Sequence, residues 1–262
     1  MQFSMKLYLV ALLGMAPSVL QAKIQKNVCI KHIGNIFQHL PENLPNDGSV
    51  IAVLDWDRTI SEIEGEPKAA ETYKPREEGN DEHAGTLATI KNLQDRAIKT
   101  MVVTARMQGL GARGGSGLSS EAVIALANRQ AGEMLKFLGG EWKLRGPIIE
   151  NNMHSDDIQG SEAARISKLV GRPLQFMAVN QIVFAPGEVK GEVVKQYIDE
   201  NKFSTKPTHI IFIDNKLKNI EAFEQVFKDR PEHVYLFNYP DTEPKPQKTG
   251  TKPVPDLGCP KA

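Results

Sequence analysis

Two aspartates stand two residues apart in Asp55-Trp56-Asp57-Arg58-Thr59, directly after the apolar run Val50–Leu54. Like charges in one small turn repel, so a cation or a shared proton is expected between them. With oxygen ligands and no Cys or His nearby, a hard ion such as Mg²⁺ is the natural choice. An ionised aspartate held against such an ion can attack phosphorus and form an acyl-phosphate. The second carboxyl can protonate the departing oxygen and later activate water. The plainer alternative is an acidic turn after a strand, which is common.

The elements around this turn decide between the two. Val50–Leu54 is short, apolar and β-branched, the composition of a parallel strand covered on both faces. Residues 100–104 and 210–213 repeat it, so that Asp55, Thr104 and Asp214 each stand at the carboxyl end of an expected strand. Apolar spacing predicts helices over 86–97, from a Ser119 or Ser120 cap to about Leu138, over 189–200 and over 217–228. Residues 176–184 read as one further strand, closed by the turn Pro186-Gly187, and 234–237 as the last. The stretch 61–82 is acidic, carries Pro67 and Pro75, and reads as a long flap. Alternating strands and helices imply an α/β fold, a parallel sheet with helices on both faces, whose site lies at the carboxyl ends of its strands.

On these residues the chain resembles the haloacid dehalogenase-like (HAD) superfamily. Asp55-Trp56-Asp57-Arg58-Thr59 is similar to its Asp-x-Asp-x-Thr motif, and Thr104 in Met101-Val102-Val103-Thr104 to its hydroxyl residue ending the next strand. Lys190 in Val189-Lys190-Gly191-Glu192-Val193 matches its helix-starting lysine, and Asp214 in Ile210-Ile211-Phe212-Ile213-Asp214-Asn215 its last acidic motif. The resemblance spans residues 50–237 and implies a doubly wound parallel-sheet core with a small cap. It also implies an Mg²⁺-dependent phosphatase acting on a small phosphorylated substrate. Asp55 would be the nucleophile and Asp57 the general acid/base. The Asp55 and Asp214 carboxylates and the Asp57 carbonyl would hold Mg²⁺. Thr104 would bond a phosphoryl oxygen, and Lys190 would neutralise phosphate, with Lys195 as the fallback. Two departures stand out: Asn215 and, one turn later, Asn219 replace a common second acid, and Arg58 occupies a position where a small residue is usual. The fold kept as a non-catalytic phosphate- or partner-binding module is the alternative.

The stretch between Thr104 and Lys190 exceeds a minimal crossover, so the core is expected over 23–105 and 178–239, with a cap at 106–177 and an extended tail at 240–262. Arg106, Arg113 and Asn215 are candidates for substrate contact, against solvent-exposed arginines as the bland reading. Gly109-Leu110-Gly111-Ala112-Arg113-Gly114 lacks the strand context of a dinucleotide loop, and Met153-His154-Ser155-Asp156-Asp157 reads as surface. Thirty-two basic and 32 acidic residues balance, which removes any global attraction to nucleic acid. A weakly basic start, an apolar run over 7–15 and small residues ending at Ala22 have the layout of a signal peptide, 1–22. The mature chain is then expected to be exported, periplasmic or secreted, with no stable membrane span. Cys29 and Cys259 are the only cysteines; they either pair across the whole mature chain or remain two unrelated thiols.

Overall fold

The computed structural model describes residues 24–62, 73–82, 84–106, 120–138, 177–185, 187–240 and 259. Its strands are β1 (Ile24–Cys29), β2 (Val50–Leu54), β3 (Lys99–Thr104), β4 (Met177–Val179), β5 (Ile182–Phe184), β6 (His209–Asp214) and β7 (His233–Asn238). The helices are α1 (Thr86–Asp95), α2 (Ser120–Leu138), α3 (Lys190–Asp199) and α4 (Leu217–Phe227), with a 3₁₀ helix at Ile33–Gln38. The strands form one sheet in the order β1-β7-β6-β2-β3-β5-β4, parallel throughout except for β4. This is a mixed α/β, Rossmann-like arrangement, a mostly parallel sheet flanked by helices.

All five residues of β2 are buried, which explains why that run carries no polar alternation. Val50, Ala52 and Leu54 face one core with Ile90 and Leu93 of α1 and Ala127, Ala131 and Met134 of α2. Ile51 and Val53 face the other, against Val193, Val194 and Tyr197 of α3 and Ile220, Phe223 and Phe227 of α4. From β2 the chain passes outward to β3 and β5, then returns to the opposite side of β2 to lay down β6 and β7. The sheet order therefore reverses between β2 and β6, the place where open parallel sheets generally bind their ligands.

Three details differ from the sequence expectation. Residues 176–184 are not one strand but the antiparallel pair β4–β5, turning at Asn180, whose φ of 54° is left-handed and suits asparagine's short polar side chain. The edge strand β1, which sequence reading passed over, is polar in part and its register with β7 is interrupted between Gln25 and Val28. Helix α2 falls inside the stretch expected to be a cap, yet it packs on the sheet. The remainder of that stretch, 107–119 and 139–176, lies outside the described residues. So do the expected signal peptide, Arg113, the glycine-rich loop, the His154 stretch and the tail up to residue 258. Among the described residues no helix is long and apolar enough to cross a membrane.

Cys29 and Cys259 form a disulfide with their Cα atoms 5.3 Å apart, so the chain end is tied back to the carboxyl end of β1. Closing a loop of this length stabilises by about 5 kcal/mol in the chain-entropy model.

Two measurements test this packing. Phe223 stacks between Phe212 and Phe227 at 4.1 and 4.8 Å, so Phe223→Ala should lower unfolding stability in urea by about 3–5 kcal/mol. His209 stacks on His233 at 4.6 Å; burial first, then His233, holds its imidazole below the ordinary value, with Asp47 opposing. The unfolded chain then binds that proton more readily, so this contribution is present above a pH of about 6.5 and is lost on acidification below it. His209→Gln should accordingly lose less Tm than the parent between pH 8 and pH 5.5. Parallel curves would remove the stacked pair from the account.

Candidate active site

The strand ladder itself brings the first two acids together. Leu54 pairs with Ile213, and the Asp55 N–H donates to the Ile213 carbonyl at 3.0 Å, so Asp55 and Asp214 leave neighbouring strands at the same level. Lys190 reaches them from the first turn of α3. Its neighbour Gly191 lies against α4, where an added Cβ would come within 3.1 Å of Val226 and 3.2 Å of the Phe223 backbone. The missing side chain lets α3 seat closely on α4.

Lys190 Nζ donates to Asp55 Oδ1 at 2.5 Å and to Asp214 Oδ2 at 2.6 Å. All three side chains are buried, Asp214 completely. Burial alone would depress the lysine, but Asp214 and Asp55 outweigh it and hold the ammonium above its usual range. Burial pushes the Asp214 carboxyl up, Lys190 opposes, and Asp55 adds to the rise. One ammonium thus serves two carboxylates.

Each carboxylate has further partners. Thr59 Oγ1 donates to Asp55 Oδ2 at 3.0 Å and accepts the Asn215 N–H at 3.1 Å, which ties the β2 turn to the β6 turn. Asp214 accepts the Lys216 N–H at 2.8 Å, and Asn219 Nδ2 lies 3.0 and 2.9 Å from its two oxygens. Asp57 points elsewhere. Arg106 Nε lies 3.0 and 3.2 Å from its two oxygens, and Nη2 lies 2.6 Å from Oδ1. The third guanidinium nitrogen, Nη1, donates to the Tyr73 hydroxyl. Tyr73 packs edge-on against the buried Trp56 at 5.1 Å.

Arg58 takes the left-handed conformation, φ 56°, at a cost of about 1–2 kcal/mol for a residue with a Cβ. Arg76 of the flap stabilises this turn: Nη1 donates to the Arg58 and Tyr239 carbonyls and Nη2 to Pro240 O. The Arg76 guanidinium also lies 3.5 Å from the Tyr239 ring centroid, and the Tyr239 N–H donates to Asp214 O at 2.9 Å. Glu77 accepts from the Tyr239 hydroxyl and the Ile33 N–H, and meets His32 Nδ1 at 2.5 Å. The flap is therefore clamped to the end of β7.

Of the residues singled out in the sequence, Asp55, Lys190 and Asp214 meet directly. Thr104 is buried at the end of β3, where its Oγ1 accepts the Arg106 N–H at 3.3 Å. Asn215 is buried beside Asp214 and joins through its backbone. Lys195 instead pairs with Asp199 on the outer face of α3 at 2.8 Å. Sequence reading gave no individual part to Thr59, Tyr73, Arg76 or Glu77. Thr59 lies inside the quoted motif, whereas the other three fall in a flap without periodicity.

Oxygen donors of the kind a hard cation takes are present, but Lys190 Nζ lies on one oxygen of each of Asp55 and Asp214. Asp55, Asp57 and Asp214 set three carboxyl groups beside two cationic side chains, Lys190 and Arg106, in a largely buried cluster. Among the described residues no group of three or more His, Cys, Asp or Glu side chains could hold a metal. Among the described residues, Asp55 and Asp214 bring two carboxylates to the strand ends.

Residues 81–254, two thirds of the chain, match the model of a family described as a protein of unknown function, DUF2608, and the chain belongs to that family. The matched segment contains Thr104, Arg106, Lys190 and Asp214 but begins after the Asp55–Thr59 turn. No curated protein and no solved structure matches the chain.

Lys190→Met should expose the electrostatics of the cluster. Leaving Asp55 and Asp214 buried without their ammonium should cost about 3–5 kcal/mol of stability at neutral pH. The deficit should shrink on acidification as protons replace the lost charge. Denaturant titrations at pH 7.5 and pH 5 give both numbers, and a pH-independent deficit would mean lost packing instead.

Proposed function

We propose that this DUF2608 member is an exported phosphomonoester hydrolase with a doubly wound, HAD-like core, working through an aspartyl-phosphate on Asp55. The supporting observation is the Asp55–Lys190–Asp214 cluster at the point where the sheet order reverses. A carboxylate paired with a buried ammonium at the end of a parallel strand is equipped for phosphoryl transfer, where positioning and charge neutralisation do most of the work.

Asp55 attacks phosphorus through one carboxylate oxygen while Thr59 orients the other. The bond from phosphorus to the ester oxygen breaks, and its electron pair leaves with that oxygen. Once released from Arg106, the Asp57 carboxylate takes up a proton from solvent and passes it to that oxygen. Asp57 then takes a proton from water, whose oxygen attacks phosphorus. The bond to Asp55 breaks, inorganic phosphate leaves, and the carboxylate is restored. Lys190 balances the incoming phosphate, and the Thr104 hydroxyl bonds a phosphoryl oxygen. Mg²⁺ held by Asp55, Asp214 and the Asp57 carbonyl would supply the remaining neutralisation of phosphate charge.

Export rests on the Cys29–Cys259 disulfide, a bond that persists in oxidising compartments, and on the apolar leader ending just before β1. A non-catalytic phosphate- or partner-binding role is the second reading. Its support is Asn219, whose neutral amide occupies both Asp214 oxygens where a second acid would strengthen cation binding.

Phosphate release from a panel of phosphomonoesters by the mature chain decides between them. Release should require Mg²⁺, stop with EDTA, and fall at least about 10³-fold in Asp55→Asn. Folded, Mg²⁺-supplied protein that releases phosphate from no ester would establish the binding role instead.

A further inference from the structure

Arg106 is the one arginine of the expected substrate contacts that the structure describes, and it is engaged by Asp57. Its guanidinium meets both Asp57 oxygens, with the arginine side chain 5% exposed and the aspartate 17%. Asp57 in this state presents its carboxylate to Arg106 rather than to a leaving group. Arg106 stands two residues beyond Thr104, on the loop that leaves β3 at the phosphate-binding edge. A guanidinium this deeply buried does not give up an anion unless another replaces it, because an unpaired buried charge is strongly destabilising. The Tyr73 hydroxyl is neutral and cannot replace it.

We infer that Arg106 is a specificity-determining residue: it exchanges Asp57 for an anionic group on the leaving side of the substrate, which frees Asp57 to act. The substrate class is then a phosphomonoester whose leaving group carries a carboxylate or a second phosphate. Guanidinium geometry matches either anion bidentately, and lysine does not reproduce it. This rests on the phosphohydrolase reading for its mechanism, but the anion preference can be read without turnover. The preference is not trivial, since three carboxyl groups already crowd this edge.

Phosphoglycolate and ethyl phosphate are a suitable pair, being close in size and differing in the carboxylate. Binding to the Asp55→Asn chain by calorimetry should favour phosphoglycolate by at least about tenfold, and Arg106→Gln in that background should erase the difference. In the parent chain kcat/KM should show the same preference, and Arg106→Gln should lose it while Arg106→Lys restores only part. Equal binding of the two probes, or an equal loss on both in Arg106→Gln chains that melt like the parent, would overturn the exchange and leave Arg106 as a support for Asp57. Absence of hydrolysis with the binding preference intact would sink the phosphohydrolase reading alone.

Discussion

One buried ammonium organises the carboxyl edge of this protein's sheet. Lys190 lies between Asp55 and Asp214 and donates to both. Each of the three groups comes from a different element: the β2 turn, the start of α3 and the end of β6. Their meeting therefore depends on the strand register and on the close seating of α3 against α4 at Gly191. A slip of one residue between β2 and β6 would separate the acids and turn both strands' apolar side chains to the wrong faces.

Around this centre the loops are held from outside the sheet. Arg76 joins the left-handed Arg58 turn to the chain leaving β7, and Glu77 joins that same segment to the 3₁₀ helix. The disulfide fixes the chain end to β1, beside the strand that leads into Tyr239. A turn that carries two carboxylates beside the left-handed Arg58 is strained, and these contacts hold it in place.

The Arg106–Asp57 pair gives the second aspartate of the turn a cation of its own. Asp55 is paired with Lys190 from the first turn of α3, whereas Asp57 is paired with Arg106 on the loop leaving β3. Two aspartates two residues apart thus have different partners, which is how neighbouring carboxylates come to perform different tasks.

The amino-acid sequence by itself determined the buried strands and the acids that end them. Val50–Leu54 and 210–213 are too apolar and β-branched for any setting but a covered parallel sheet, and Asp55 and Asp214 follow directly. Lys190 was legible because a lysine opening an amphipathic helix fits a recognised order of motifs. The β4–β5 turn was not, since local composition cannot distinguish one nine-residue strand from two short ones bent at an asparagine. Nor was the edge strand β1, whose partner lies some two hundred residues away. Tertiary structure alone decided that Lys190 serves both acids, that Arg106 engages Asp57, and that Arg76 and Glu77 clamp the flap. Those pairings join residues far apart in the chain, and side-chain charge has no sequence periodicity to announce its partner. Only the folded backbone sets the distances over which it acts.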